Sequence, residues 1–158
     1  MSTLDLEHLI EKLRSNKQSI GFAESCTGGL LSATLCAVPG VSDIFLGSVV
    51  SYSNQAKVDL LGVSWNTLKK EGAVSDSVAL EMARGVKSRL NSTWSLSVTG
   101  VAGPTGGSPD KPVGLVWFAI VGPQIEVSQK MIFSGHRTEI QRQAADYAVK
   151  LLLKLLNK

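Results

Sequence analysis

Ser19-Ile20-Gly21-Phe22-Ala23-Glu24-Ser25-Cys26-Thr27-Gly28-Gly29 is the stretch whose reading decides the fold. Its first five residues are apolar or small and read as a strand, which ends where polar and glycine residues crowd together. Residues 30–37 are small and apolar enough for a buried helix. A strand, a glycine turn and a helix open an α/β unit, and they put Ser25 at the turn. There the unpaired backbone N–H groups of the first helical turn, with the helix dipole, favour negative charge. A nucleophilic hydroxyl suits that place, because the same N–H groups can steady the oxyanion it creates. A plain N-cap suits it too, since Ser and Thr are common caps that do no chemistry.

Outward from this turn the pattern continues. Ahead of it, Leu4, Leu6, Leu9, Ile10 and Leu13 form a helical stripe over 4–13. Behind it come a loop at 38–43 and an apolar, β-branched strand over 44–52. Helices are predicted over 53–62, with Ser53 as cap and Gly62 as stop, over 64–70, and over 75–90 with Ser75 as cap. Residues 94–99 alternate Trp94, Leu96 and Val98 with Ser and Thr, a strand that runs into a glycine-rich loop at 100–107. Two further strands, 113–121 and 125–133, are joined through Gly122-Pro123-Gln124 as a hairpin. A long helix over 139–156 ends the chain. This order predicts one three-layer α/β/α domain over 1–158 with a mixed, mostly parallel sheet.

Composition bounds the function. The chain has 158 residues, 44% hydrophobic and 18% charged, which is globular rather than disordered. Its formal charge of +3 is scattered, so it lacks the dense basic face of a nucleic-acid binder, while an anionic small substrate remains compatible. No apolar run reaches bilayer length and the N-terminus lacks the layout of a signal peptide, so a cytoplasmic protein without membrane partners is expected. Cys26 and Cys36, if on one helix, lie roughly 15 Å apart, too far to bridge. No zinc-type Cys/His spacing exists, and neither metal nor cofactor is expected.

Four segments can carry chemistry. Ser25 is the first. In Tyr52-Ser53-Asn54-Gln55-Ala56-Lys57 a strand delivers Tyr52 to its end, and the following helix places Lys57 in its opening turns. A helix N-terminus and burial both lower a lysine pKa, as a general base requires; a solvated surface lysine fits the same spacing. The loop Thr99-Gly100-Val101-Ala102-Gly103-Pro104-Thr105-Gly106-Gly107-Ser108 lets backbone N–H groups approach an anion, with Lys111 just beyond, or is simply a flexible loop. Ser134-Gly135-His136-Arg137-Thr138-Glu139 opens the last helix, where Arg137 and Arg142 are candidates for phosphate or carboxylate contacts. Ser25 is not in a G-x-S-x-G elbow and His136 has no evident acidic third member, so a triad ranks low. Cys26 is a rival nucleophile beside Ser25. Leu151-Leu152-Leu153 with Leu155-Leu156 covers more than one helix face and suggests a homo-oligomer, burial against the sheet being the other reading.

Taken in order, Ala23-Glu24-Ser25-Cys26-Thr27-Gly28-Gly29, Tyr52 to Lys57, Gly72-Ala73-Val74-Ser75, Thr99 to Pro104 with Gly106-Gly107, and Lys111-Pro112-Val113-Gly114 resemble the CinA C-terminal domain family. The resemblance runs from about Leu6 to Leu153; the large N-terminal domain of full-length members is absent from this sequence. It implies deamidation of nicotinamide mononucleotide to nicotinate mononucleotide and ammonia, as in members of known activity, which resemble Ser/Lys amidohydrolases. Ser25 would then be the nucleophile and Lys57 the base, with Tyr52 beside them. Backbone N–H groups around Cys26 to Gly28 would hold the oxyanion. Thr27, Gly28, Thr99, Gly100, Ala102, Gly103, Gly106, Lys111, Arg137 and Arg142 would contribute to the mononucleotide pocket. Some relatives keep the fold without detectable amidase activity, so a silent nucleotide-binding module is the alternative.

Overall fold

The computed structural model describes residues 3–157. The elements, in chain order, are α1 (Thr3–Ser15), β1 (Ile20–Glu24), α2 (Leu30–Cys36), β2 (Phe45–Val50), α3 (Asn54–Leu61), α4 (Trp65–Glu71), α5 (Asp76–Leu90), β3 (Trp94–Gly100), β4 (Leu115–Gly122), β5 (Ile125–Ile132) and α6 (Arg137–Leu156), with a short 3-10 turn at Val41–Asp43. Each differs from its predicted span by a few residues at most. The sheet order is β2-β1-β3-β4-β5. β1 runs parallel to both β2 and β3, whereas β3–β4 and β4–β5 are antiparallel. The sheet is therefore mixed: β1, β2, β3 and β5 run in one direction and β4 alone runs against them. The reason is that the connection from β3 to β4 carries no helix, and without a crossover the chain can only return antiparallel.

Three layers follow from where the apolar faces point. α1, α2 and α6 cover one face, where Phe22, Leu96, Val98, Phe118 and Ile120 meet Leu9, Leu13, Leu31 and Leu152. α5 covers the other, and α3 and α4 pack against α5. The Ser and Thr residues alternating along β3 face α5, and they are not solvated. Ser95 donates to the Ala83 carbonyl at 2.8 Å and Ser97 to the Ala79 carbonyl at 2.6 Å. Small hydroxyls on the strand and alanines on the helix let the two backbones come close, and each buried hydroxyl has a partner. Leu151, Leu152 and Leu153 are all buried within this one chain, so their burial is met without a second copy. Among the described residues, no helix is long and apolar enough to cross a membrane.

This topology locates the site. From β1 the chain passes through α2 to β2 on one side, then crosses back through α5 to β3 on the other. The C-terminal end of β1 is thus the switch point of the parallel half, where the connections diverge and open a crevice. Ser25 is the next residue.

Candidate active site

Two backbone bonds fix the end of β1: the Ser51 N–H donates to the Glu24 carbonyl at 2.8 Å, and the Ser25 N–H donates to the Val98 carbonyl at 2.9 Å. Gly28 and Gly29, at φ +61° and +98°, then turn the chain into α2 through backbone angles that a side chain disfavours. Ser25 is left at the strand end, 8% exposed. On the neighbouring path, Ser53 caps α3 by accepting from the Ala56 N–H at 3.0 Å. That start point puts Lys57 one turn into the helix with its side chain directed inward, 1% exposed.

Lys57 Nζ meets three acceptors: Ser25 Oγ at 2.9 Å, the Ser51 carbonyl at 2.8 Å and the Tyr52 carbonyl at 3.4 Å. Among the described residues no carboxylate pairs with it. Burial is the main cause that lowers its pKa from 10.5 to about 8, the nearby Cys26 sulfur opposing slightly. In the ammonium form Nζ donates to all three. In the neutral form two N–H bonds stay on the carbonyls, and the lone pair faces the Ser25 hydroxyl proton. A hydroxyl held 2.9 Å from an amine whose pKa is lowered toward neutrality has the geometry that nucleophilic chemistry requires.

Beside the pair is a cavity of about 280 Å³. Ser25, Cys26 and Lys57 form its floor; Thr99, Gly100, Val101, Ala102, Gly103, Thr105 and Gly106 form one wall; Ala73 and Val74 with Tyr52, Asn54 and Arg137 complete it. The glycine loop is therefore a wall and not a free surface loop. Arg137, the first residue of α6, spans the mouth: Nη1 donates to the Gly103 carbonyl at 2.8 Å and Nη2 to the Tyr52 hydroxyl at 2.6 Å. Tyr52 is 59% exposed, and it is its carbonyl, not its phenol, that meets Lys57. Thr99 spends its hydroxyl on the Ala73 carbonyl at 2.9 Å, which ties the 73–74 wall to the sheet.

Several predicted residues lie elsewhere. Thr27 and Gly28 are outside the cavity lining; Thr27 is buried with its hydroxyl unpartnered, and Gly28 serves the turn. Lys111 donates Nζ to the Glu71 carbonyl and lines a different depression, because a main-chain acceptor far away in sequence captures it. Arg142 faces a shallow hollow with Ser134, Gly135, Glu139 and Gln143. Five residues along a helix is about 140° of rotation, so Arg137 and Arg142 cannot share a face. His136 opens α6, its N–H donating to Glu139 Oε2 at 2.7 Å, and it does not line the cavity. The Cys26 thiol is pushed up to about 12, chiefly by burial, so it stays protonated at neutral pH and does not compete with Ser25.

One of the expected oxyanion donors is already engaged. The Gly28 N–H is spent on the Ser25 carbonyl at 3.0 Å, and the N–H groups of Gly29, Leu31 and Ser32 all point at one carboxylate, that of Glu24. Sequence reasoning missed Glu24, which is wholly buried, and it missed Asn54, Ala73 and Val74 in the cavity wall. The motif Ala23-Glu24-Ser25 contained the first of these, but nothing local distinguishes a buried strand-end Glu from a solvated one.

Fold and site together define an α/β domain with a buried lysine–serine pair at the switch point of a mixed sheet. The chain belongs to the CinA C-terminal domain family, whose model matches residues 4–156. It is 47% identical over 154 residues to a CinA-like protein of Prochlorococcus marinus, an alignment covering 95% of this chain and 36% of that protein. To a CinA-like protein of Nostoc sp. it is 56% identical over 137 residues, 86% of this chain and 32% of the relative. The chain thus spans about a third of the length of these curated relatives. Among solved structures, the competence damage-inducible protein A of Klebsiella pneumoniae superposes with a TM-score of 0.94 at 32% identity, covering 98% of this chain and 96% of that one. The competence/damage inducible protein CihA of Agrobacterium tumefaciens superposes at 0.90 with 38% identity and the same coverages.

Proposed function

We propose that this chain is a Ser/Lys amidohydrolase that deamidates nicotinamide mononucleotide to nicotinate mononucleotide and ammonia, in the cytoplasm, as a step in pyridine nucleotide salvage. The observation that carries the reading is the 2.9 Å approach of Lys57 Nζ to Ser25 Oγ on the floor of a cavity, with the lysine pKa lowered to about 8. Neutral Lys57 takes the hydroxyl proton as Ser25 Oγ attacks the carboxamide carbon. The tetrahedral intermediate collapses as the Lys57 ammonium gives that proton to the leaving nitrogen, which departs as ammonia. A water molecule, deprotonated by the same amine, then attacks the resulting ester, and the proton returns to Ser25 as the nicotinate product leaves. No step in this scheme draws on a metal or redox cofactor.

The cavity supports the substrate class. At about 280 Å³ it sits near the lower end of ligand sites, which suits a mononucleotide better than a dinucleotide. Arg137 at the mouth is the cation placed to receive the phosphate, exchanging its contact with Tyr52 for one with a phosphate oxygen. The test is steady-state ammonia release from nicotinamide mononucleotide, with the dinucleotide and free nicotinamide as comparisons. Turnover of the mononucleotide above both comparisons is expected. Binding of the mononucleotide without ammonia release would replace this reading with that of a silent nucleotide-binding module.

A further inference from the structure

We infer that Glu24 is a positioning residue: its buried carboxylate holds the 25–28 turn in the path that sets Ser25 Oγ against Lys57 Nζ. The inference rests on the proposed function only in taking Ser25 as the nucleophile, and it is independent of which substrate is turned over. Both carboxylate oxygens are engaged. Oε2 accepts the N–H groups of Gly29 and Leu31, each at 3.0 Å, and Oε1 accepts the Ser32 N–H at 2.8 Å and the Ser32 hydroxyl.

The reach of these bonds is what distinguishes them from a cap. An N-cap side chain accepts from N–H groups two or three residues on. Glu24 accepts from residues five, seven and eight positions ahead. It therefore closes a loop, and Ser25 is the first residue inside it. The residue at the ordinary cap position is Gly29, which has no side chain to offer. Burying a carboxylate without a counter-ion is costly, and among the described residues no lysine or arginine pairs with Glu24. Position 29, at φ +98°, disfavours a capping side chain, so the carboxylate that satisfies the start of α2 reaches it from the strand end.

What the closure supplies is stiffness. The backbone of Glu24 and Ser25 is pinned on both sides, by the Ser51 N–H just past β2 at 2.8 Å and by the Val98 carbonyl of β3 at 2.9 Å. Beyond that point the turn contains two glycines at positive φ, which are conformationally permissive and stiffen nothing themselves. On the far side, Gln141 Nε2 of α6 donates to the Cys26 carbonyl at 2.8 Å. Glu24 is the contact that ties the sheet end directly to the start of α2, so that Ser25 has no slack between them. Catalytic geometry tolerates displacements of only about half an ångström before rate is lost.

The test is Glu24→Gln, which keeps the shape of the side chain but turns one acceptor oxygen into an NH₂ that faces backbone N–H donors. The readout is phosphonylation of Ser25 by a fluorophosphonate probe: Oγ bonds to phosphorus, fluoride leaves, and the hydroxyl proton passes to Lys57. Labelling of the folded variant, checked by circular dichroism, is expected to be about 10- to 100-fold slower than wild type, with kcat on the mononucleotide falling in parallel and KM within about twofold. Ser32→Ala, which removes only the hydroxyl donor, is expected to slow labelling about two- to fivefold. Folded Glu24→Gln labelling at the wild-type rate overturns the inference. If Glu24→Gln does not fold, Ser32→Ala decides alone, and an unchanged rate overturns it. Wild-type protein that the probe does not label at Ser25 overturns it as well. Wild-type protein that is labelled but releases no ammonia refutes the proposed substrate, while the variants still decide the role of Glu24.

Discussion

Glu24 and Lys57 are both buried, both ionisable and both within the same strand-end crevice, yet the molecule treats them oppositely. Glu24 is matched by three backbone N–H groups and a hydroxyl. Lys57 has a hydroxyl and two carbonyls, one of them only at 3.4 Å, and among the described residues no carboxylate pairs with it. The group whose oxygens are all engaged acts on the backbone. The one without an opposite charge is left near the point of losing its proton, and it faces both a hydroxyl and a cavity. Cys26, two residues from Glu24, is a third case, in which burial outweighs the nearby positive charges and raises the thiol out of use. Burial alone therefore does not mark a reactive group; it does so when the charge is under-compensated and a reacting atom is in reach.

The sharpest way to break this contrast is Lys57→Met. Turnover is expected to fall by at least about 10³-fold, because neither the base nor the later acid remains. Stability should move the other way. The folded pKa of about 8 lies below the 10.5 of a free lysine, so the folded state binds the proton less well. The resulting cost is full below pH about 8, shrinks as the pH rises toward 10.5, and is gone above it; at pH 7 it is about 3 kcal/mol. Lost hydrogen bonds offset part of the gain, so the variant should resist urea at pH 7 at least as well as wild type. A clearly lower urea midpoint, or residual turnover near wild type, would contradict the under-compensated lysine.

A smaller effect sharpens the same point. If neutral Lys57 is the active form, log(kcat/KM) should climb with unit slope from pH 6 and level off above about 8. A profile flat from pH 6 to 9 would remove Lys57 as the titrating base. At the mouth the expected losses are smaller still and fall on binding. Arg137→Gln should raise KM for the mononucleotide about tenfold while kcat changes little, and an unchanged KM would move the phosphate seat elsewhere.

How much of this was legible in the chain itself depends on how local each signal is. The placement of Ser25 and Lys57 was readable because each follows from a short pattern: apolar strand, then glycines, or strand, then Ser53 cap, then one helical turn. The same patterns fit a plain cap and a surface lysine, and only the family resemblance paired the two. The two meet because the parallel pairing of β1 with β2 aligns Glu24 with Val50, which brings their strand ends side by side. Glu24 was not readable, since its partners exist only after α2 folds back over the turn. Lys111 and Arg142 were taken for anion contacts because a charge in a sequence looks free; the Glu71 carbonyl that captures Lys111 carries no residue signature at all. Arg142 failed on helical phase, which its spacing from Arg137 already implied. The placement of the reversed strand β4 beside β3 was hidden for a related reason. The late hairpin was evident, but its attachment to β3 through a helix-free loop was not.

The least disruptive probe tests the third member of the contrast. With its thiol held at about 12, Cys26 carries thiolate on the order of 10⁻⁴ to 10⁻⁵ of the time at pH 7.5, and it is buried as well. Cys36 is exposed at the end of α2, away from the cavity. Iodoacetamide at pH 7.5 should therefore add one carbamidomethyl group, on Cys36, and leave turnover within about twofold of the untreated protein. Peptide mass spectrometry with a parallel ammonia assay reads both quantities. Rapid alkylation of Cys26 would mean that the turn opens on the timescale of the reaction. In that case the satisfied carboxylate of Glu24 would not be holding the segment as tightly as its four donors imply, and the distinction between the two buried ionisable groups would weaken from the structural side rather than the chemical one.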